Sequence, residues 1–130
     1  MLTTTFTVHI ILVVLLVHWV ADFLFQTQEM ASKKHEHWGI LILHCVVYAT
    51  VLTAFIMLAP SLGTIITISL GNAALCWSLL FMSHLWIDAV TSRIVKKAFA
   101  LNKIRFMFNT IGFDQFLHFV ALLLILTLII

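Results

Sequence analysis

Charge is the scarcest property of this sequence. Of 130 residues, only 9% are Asp, Glu, Lys or Arg, where a soluble domain carries about a quarter. A soluble fold of this length leaves much of its surface in water, so it could not hide a composition that is 63% hydrophobic. Mean hydropathy is +1.17. Cysteine is scarce too: Cys45 and Cys76 lie inside apolar runs without CxxC spacing, so they read as small hydrophobes and exclude a zinc knuckle, a dithiol redox motif or a disulfide framework. One proline and four glycines leave no P-loop, glycine-rich phosphate cradle or nucleophile elbow. The formal net charge of +2 is too small to suggest a nucleic-acid binder. These absences exclude a soluble globular domain, a disordered chain and a disulfide-stapled secreted domain. They leave an integral membrane protein forming one domain.

What the sequence has instead is length without polarity. A bilayer core about 30 Å thick needs about 20 apolar residues in a helix, and four runs qualify, at about 6–30, 38–59, 64–90 and 113–130. The runs are continuous rather than alternating, which predicts helices and excludes a barrel. The first has no basic residue before it and is too long for a signal-peptide core, so it reads as a permanent span. The connections suit antiparallel neighbours, so the expected fold is an all-α, integral membrane four-helix bundle. All seven Lys and Arg residues fall in two stretches, Lys33 and Lys34 in one, and Arg93, Lys96, Lys97, Lys103 and Arg105 in the other. The positive-inside rule then places basic loops 31–37 and 91–112 in the cytoplasm and both termini on the non-cytoplasmic side.

Against this apolar background the buried polar residues stand out. An Asp near the centre of a span costs roughly 2.5–3.5 kcal/mol on the insertion scale and is usually functional. HWVADFLFQ puts His18, Asp22 and Gln26 at i, i+4 and i+8, close to one helical face. HLWIDAVTS repeats the pattern with His84, Asp88 and Ser92, DQFLH gives Asp114, Gln115 and His118, and the second span adds His44. From the basic end, Asp22 is expected roughly 12 Å deep and His44 roughly 9 Å, with His84 and His118 about one turn deeper than their aspartates. His9 reads as a lone interfacial histidine at the opposite end. Three readings of the cluster stay open: hydrogen-bonded glue between helices, a metal site, or a proton or ion path.

As a metal site, the cluster offers His18, Asp22, His84, Asp88, Asp114 and His118 as ligands to Zn²⁺, Mn²⁺ or Fe²⁺. His44, Gln26 and Gln115 would be further ligands or supports. No activated nucleophile is evident, so any catalysis would run through metal-activated water, with Asp22, Asp88 or Asp114 as the candidate general base. Lys33, Lys34, Arg93, Lys96 and Lys97 are candidates for holding an anionic headgroup. His35 and His37 belong to a solvated turn. The segment Arg93–Phe108 reads as amphipathic and interfacial, Trp38 and Trp86 as interface anchors, and Trp19 and Trp77 as packing or lipid-facing residues.

HWVADFLFQT with a lysine soon after, His44, HLWIDAVTS and DQFLH together resemble the small membrane proteins of the family called domain of unknown function 3307, over nearly the whole chain. The resemblance implies a multi-span protein of a bacterium or phage, in the inner membrane, and brings no activity with it. More loosely, the intramembrane His and HxxxD elements are similar to membrane-bound metal-dependent hydrolases. The function expected is therefore a metal-binding membrane protein, with hydrolysis of a lipid-linked or phosphate-bearing substrate as its chemistry. The alternatives are an oligomeric proton or ion channel or transport protein, and a non-catalytic membrane interaction protein. The expected partners are the bilayer, an anionic lipid headgroup and further copies of the chain, with no nucleic acid.

Overall fold

A computed structural model describes residues 8–62 and 67–130. The side chain of His9 and the span edges expected at 6 and 64 lie outside the described residues. The elements are α1 (Val8–Trp19), which continues as a π-helical turn (Val20–Leu24), then α2 (Gln28–Lys33), α3 (Trp38–Leu58) with a 3₁₀ tail (Ala59–Leu62), α4 (Leu70–Ala100) and α5 (Ile104–Ile129). Among the described residues there is no strand.

Helix ends follow local chemistry. The Thr27 hydroxyl caps α2 by accepting from the Met30 N–H at 3.2 Å, and the Ser69 hydroxyl caps α4 by accepting from the Asn72 N–H at 3.1 Å. Each satisfies one of the orphan donors of a helix start. Pro60 sits in the 3₁₀ tail of α3, where a residue without an N–H ends a helix readily.

Among the described residues, three helical segments are long and apolar enough to cross a membrane: Trp38–Ser61, Leu70–Ala100 and Ile104–Ile129. The first apolar helix, Ile10–Leu24, is shorter. A continuous helix to residue 30 was expected there. Instead α1 stops in the π turn, and Thr27 starts α2 as a separate short helix. The expected loop 31–37 is helical through Lys33, and the expected loop 91–112 is almost entirely helix. Only Leu101, Asn102 and Lys103 join α4 to α5. The reason is that polarity marks where a chain leaves an apolar environment, whereas Ala, Lys, Arg and Leu propagate a helix on either side of that boundary. The amphipathic stretch Arg93–Phe108 is thus an α-helical hairpin.

α3 and α4 pack together, α5 packs on α4, and α1 with its π turn packs on α3. The shared core holds Tyr48, Leu52, Leu80, Leu122 and Leu126, all nearly inaccessible. Large apolar side chains also cover the outside, including Leu16, Leu70, Trp86 and Leu128, and contiguous exposure of this kind fits a lipid environment. Trp38 also serves as a platform: the Arg93 guanidinium lies 4.5 Å from the centre of its ring, a cation–π contact. Trp77 stacks on Phe81, and its indole N–H donates to Thr50 at 3.0 Å.

The α4–α5 corner turns on Asn102, whose φ of 54° is left-handed. Asn tolerates this region, Gly is free in it, and a β-branched residue clashes. Asn102→Gly is expected to leave the thermal midpoint in detergent unchanged or slightly raised. Asn102→Val is expected to lower stability by about 1–2 kcal/mol.

Candidate metal centre

The π turn is the first device of the site. Its wide ring closes from the Phe25 N–H to the Val20 carbonyl at 3.1 Å, and it carries Ala21 and Asp22, both buried. Such bulges are frequent at functional sites because they re-aim one side chain without ending the helix. α3 brings His44, α4 brings His84 and Asp88 one turn apart, and α5 brings His118. All of these side chains are buried.

Their donor atoms converge. The Nε2 atoms of His44 and His84 are 3.0 Å apart. Asp22 Oδ1 lies 3.1 Å from the first and 3.4 Å from the second. Asp88 Oδ2 lies 3.3 and 3.7 Å from the same two nitrogens, and Asp88 Oδ1 lies 3.7 Å from His118 Nε2. Two groups of three could each hold an ion, Asp22–His44–His84 and His84–Asp88–His118. Ligands about 2.0 Å from a tetrahedral ion are separated by about 3.3 Å. The edges of the first group, 3.0, 3.1 and 3.4 Å, bracket that value. Two facing imidazole nitrogens at this distance cannot both carry a hydrogen there, so they must share a hydrogen or a cation.

A layer of hydrogen bonds surrounds the donors, and its polarity can be read from one end to the other. Gln115 Nε2 donates to Asp22 Oδ2 at 3.3 Å and to Asp114 Oδ2 at 3.1 Å. Its Oε1 must therefore accept, which fixes the hydrogen of His18 on Nε2, 3.2 Å away. His18 Nδ1 in turn accepts from the Tyr48 hydroxyl at 2.8 Å. Asp114 takes a further hydrogen bond from the Thr91 hydroxyl. His118 Nδ1 donates to the Asp114 carbonyl at 2.9 Å, and its buried Nε2 faces Asp88 Oδ1 at 3.7 Å and has no hydrogen-bond partner. A ligating histidine is usually oriented in this way by its other nitrogen. The Nδ1 atoms of His44 and His84 are buried without partners.

Lys34 enters the cluster from the end of α2. Its Nζ lies 2.6 Å from Asp88 Oδ2 and 3.4 Å from His44 Nε2. Burial opposes its charge, but the carboxylates of Asp88 and Asp22 outweigh that effect and hold the ammonium above the usual lysine range. Lys33 turns outward and pairs with Glu29 at 2.9 Å.

An open cavity of about 420 Å³ adjoins the cluster, lined by Asp22, Asp88 and Asp114 together with Gln26, Gln115, Lys34 and Lys96. Of the residues expected as ligands, the structure brings together Asp22, His84, Asp88 and His118, and it adds His44 as an equal member. His18 and Asp114 fall outside both donor groups, His18 because both ring nitrogens are already engaged. Gln115 supports Asp22 directly, and Gln26 lines the cavity with a buried Oε1 that has no partner. Among the basic residues Lys34 and Lys96 reach the cavity, and Lys33, Arg93 and Lys97 do not line it. Tyr48 and Thr91 were not singled out from the sequence. The chain's one tyrosine, one turn after His44 in an apolar run, carried a readable signal, whereas Thr91 carried none.

A family model described as protein of unknown function (DUF3307) matches residues 10–130. The chain belongs to that family. No curated protein and no solved structure matches it. The family spans every residue of the donor cluster, so the site lies wholly inside the family's domain.

Removing Lys34 leaves Asp88 buried with less compensation. Breaking a buried ion pair from one side costs about 3–5 kcal/mol. Lys34→Met is expected to lower the unfolding midpoint strongly, and adding Asp88→Asn is expected to restore much of the loss, as read from a double-mutant cycle of thermal unfolding.

Proposed function

We propose that this protein is an intramembrane divalent-metal centre, built at the basic end of the helix bundle and facing the cytoplasm. The observation that carries the proposal is the convergence of Asp22, His44 and His84 donor atoms at 3.0–3.4 Å. Charge supports it. Asp22, Asp88 and Asp114 line the cavity with two ammonium groups, Lys34 and Lys96, of which Lys34 is paired with Asp88, and with neutral imidazoles a divalent ion offsets the negative charge that remains. Both donor groups use His84, so an ion held by His84 draws its other ligands from Asp22, His44, Asp88 and His118. Imidazole with carboxylate suits Zn²⁺, Mn²⁺ or Fe²⁺.

The chemistry that fits is metal-dependent hydrolysis of a lipid-linked or phosphate-bearing substrate. The ion would polarise the substrate oxygen and lower the pKa of water. The chain's own contribution is positional. Gln115 steadies Asp22, and the Asp114 carbonyl orients His118. Asp114, which lines the cavity but belongs to neither donor group, is the carboxylate left to take a proton from the attacking water.

Elemental analysis of detergent-purified protein is expected to give about one equivalent of a transition metal. His84→Asn should lose it while keeping its helical circular dichroism, and His18→Asn should retain it. Folded wild-type protein that holds no metal even after reloading would overturn the proposal.

A further inference from the structure

The cavity beside the cluster takes its lining from the π turn and α2, from α4 and from α5, so it spans the place where the beginning and the end of the chain face each other across α4. α1 and its π turn pack on α3, and α5 packs on α4, while the π turn and α5 meet only sparsely. Gln115 bridges the seam between them through Asp22 and His18. The cavity's lining divides by chemistry. Its polar lining includes the three carboxylates and Lys34, and its apolar lining includes Phe23, Phe99, Met107 and Ile111. Phe23 and Phe99 are 42% and 61% exposed, so the apolar wall is continuous with the outer surface of the helices. Lys96 also lines the cavity.

A small water-soluble anion needs only the polar end of such a space. A purely apolar ligand would strand the carboxylates and the ammonium without partners, at a desolvation cost. The ligand that matches both parts has a charged head and a hydrocarbon tail. Its head is anionic, because Lys34 and Lys96 line the cavity together with the donors His35, Ser32 and Ser92, an ion held by the cluster would add positive charge, and the carboxylates already take hydrogen bonds from Lys34, Gln115 and Thr91. The volume of about 420 Å³ falls in the range of small-molecule sites, and a tail can continue past Phe23 and Phe99 into the bilayer. We infer that the seam between the π turn and α5 is a side entrance for a membrane amphiphile with an oxyanion headgroup of the phosphate type. The headgroup sits at the metal centre, and the tail lies along Phe23, Met107 and Ile111. The inference rests on the metal-centre assignment for the polarity of the head.

The test is a thermal-shift series on the full-length, detergent-purified protein with three probes: decyl phosphate, inorganic phosphate and decyl maltoside. A ligand that binds only the folded state raises the midpoint. Decyl phosphate is expected to raise it by about 3 °C or more, with little effect from the other two. Ile111→Trp, which fills the apolar end, is expected to abolish the shift while keeping its metal, and Met107→Trp serves the same purpose should the first variant fail to fold. An equal shift from inorganic phosphate would overturn the inference in favour of a soluble phosphate ligand. An equal shift from decyl maltoside would overturn it in favour of unspecific detergent binding. No shift, or a shift that survives both substitutions, also overturns it. Metal content measured on the same samples separates the two claims. Metal retained without a shift sinks the amphiphile alone. A blockable, phosphate-dependent shift without metal supports the amphiphile and sinks the metal centre.

Discussion

Everything about this bundle depends on placing carboxylates where there is little water. Asp22 and Asp88 are nearly inaccessible, on helices whose other faces are apolar. Isolated carboxylates in such surroundings cost several kcal/mol each after relaxation, far more than one helix–helix contact returns. The chain meets that cost by convergence. Lys34 reaches in from α2, two imidazoles close on the same oxygens, and Gln115 donates to Asp22 from α5. The helix order, the break after the π turn and the long reach of α4 and α5 all serve to bring those groups to one level.

The cluster is layered. The inner layer, Asp22, His44, His84, Asp88 and His118, directs its donor atoms at a common space. The outer layer, Tyr48, His18, Gln115, Asp114 and Thr91, spends its hydrogen bonds on holding the inner one. His118 Nε2 is buried without a hydrogen-bond partner and faces a carboxylate oxygen at 3.7 Å. Unsatisfied groups of this kind are rare in well-packed interiors and need an explanation. A coordinating ion supplies one.

Much of this was legible in the sequence because apolar composition makes each polar exception informative. The all-helical fold and the polar level shared by the helices followed from runs of about 20 apolar residues and from the i, i+4 pairs His18–Asp22, His84–Asp88 and Asp114–His118, and the family from the resemblance of the motifs that hold those pairs. Periodicity gives the face of a helix, but it does not give what that face meets. Spacing therefore puts His18 beside Asp22 without showing that Tyr48 and Gln115 engage both its nitrogens, and it says nothing of how His44, alone in its span, meets His84. The π turn at Val20–Leu24 leaves no trace in hydropathy. The basic residues of Arg93–Phe108 mark an environment and not the end of a helix, and α4 runs through them to the corner at Asn102.

X-ray absorption spectroscopy of the metal-loaded protein tests the central claim most directly, because it reports the atoms around the ion rather than its amount. The account predicts at least two imidazole nitrogens and one or more carboxylate oxygens at about 2.0–2.2 Å. A shell of oxygen atoms without imidazole scattering would contradict it, since an ion held that way would not be bound by His44, His84 or His118.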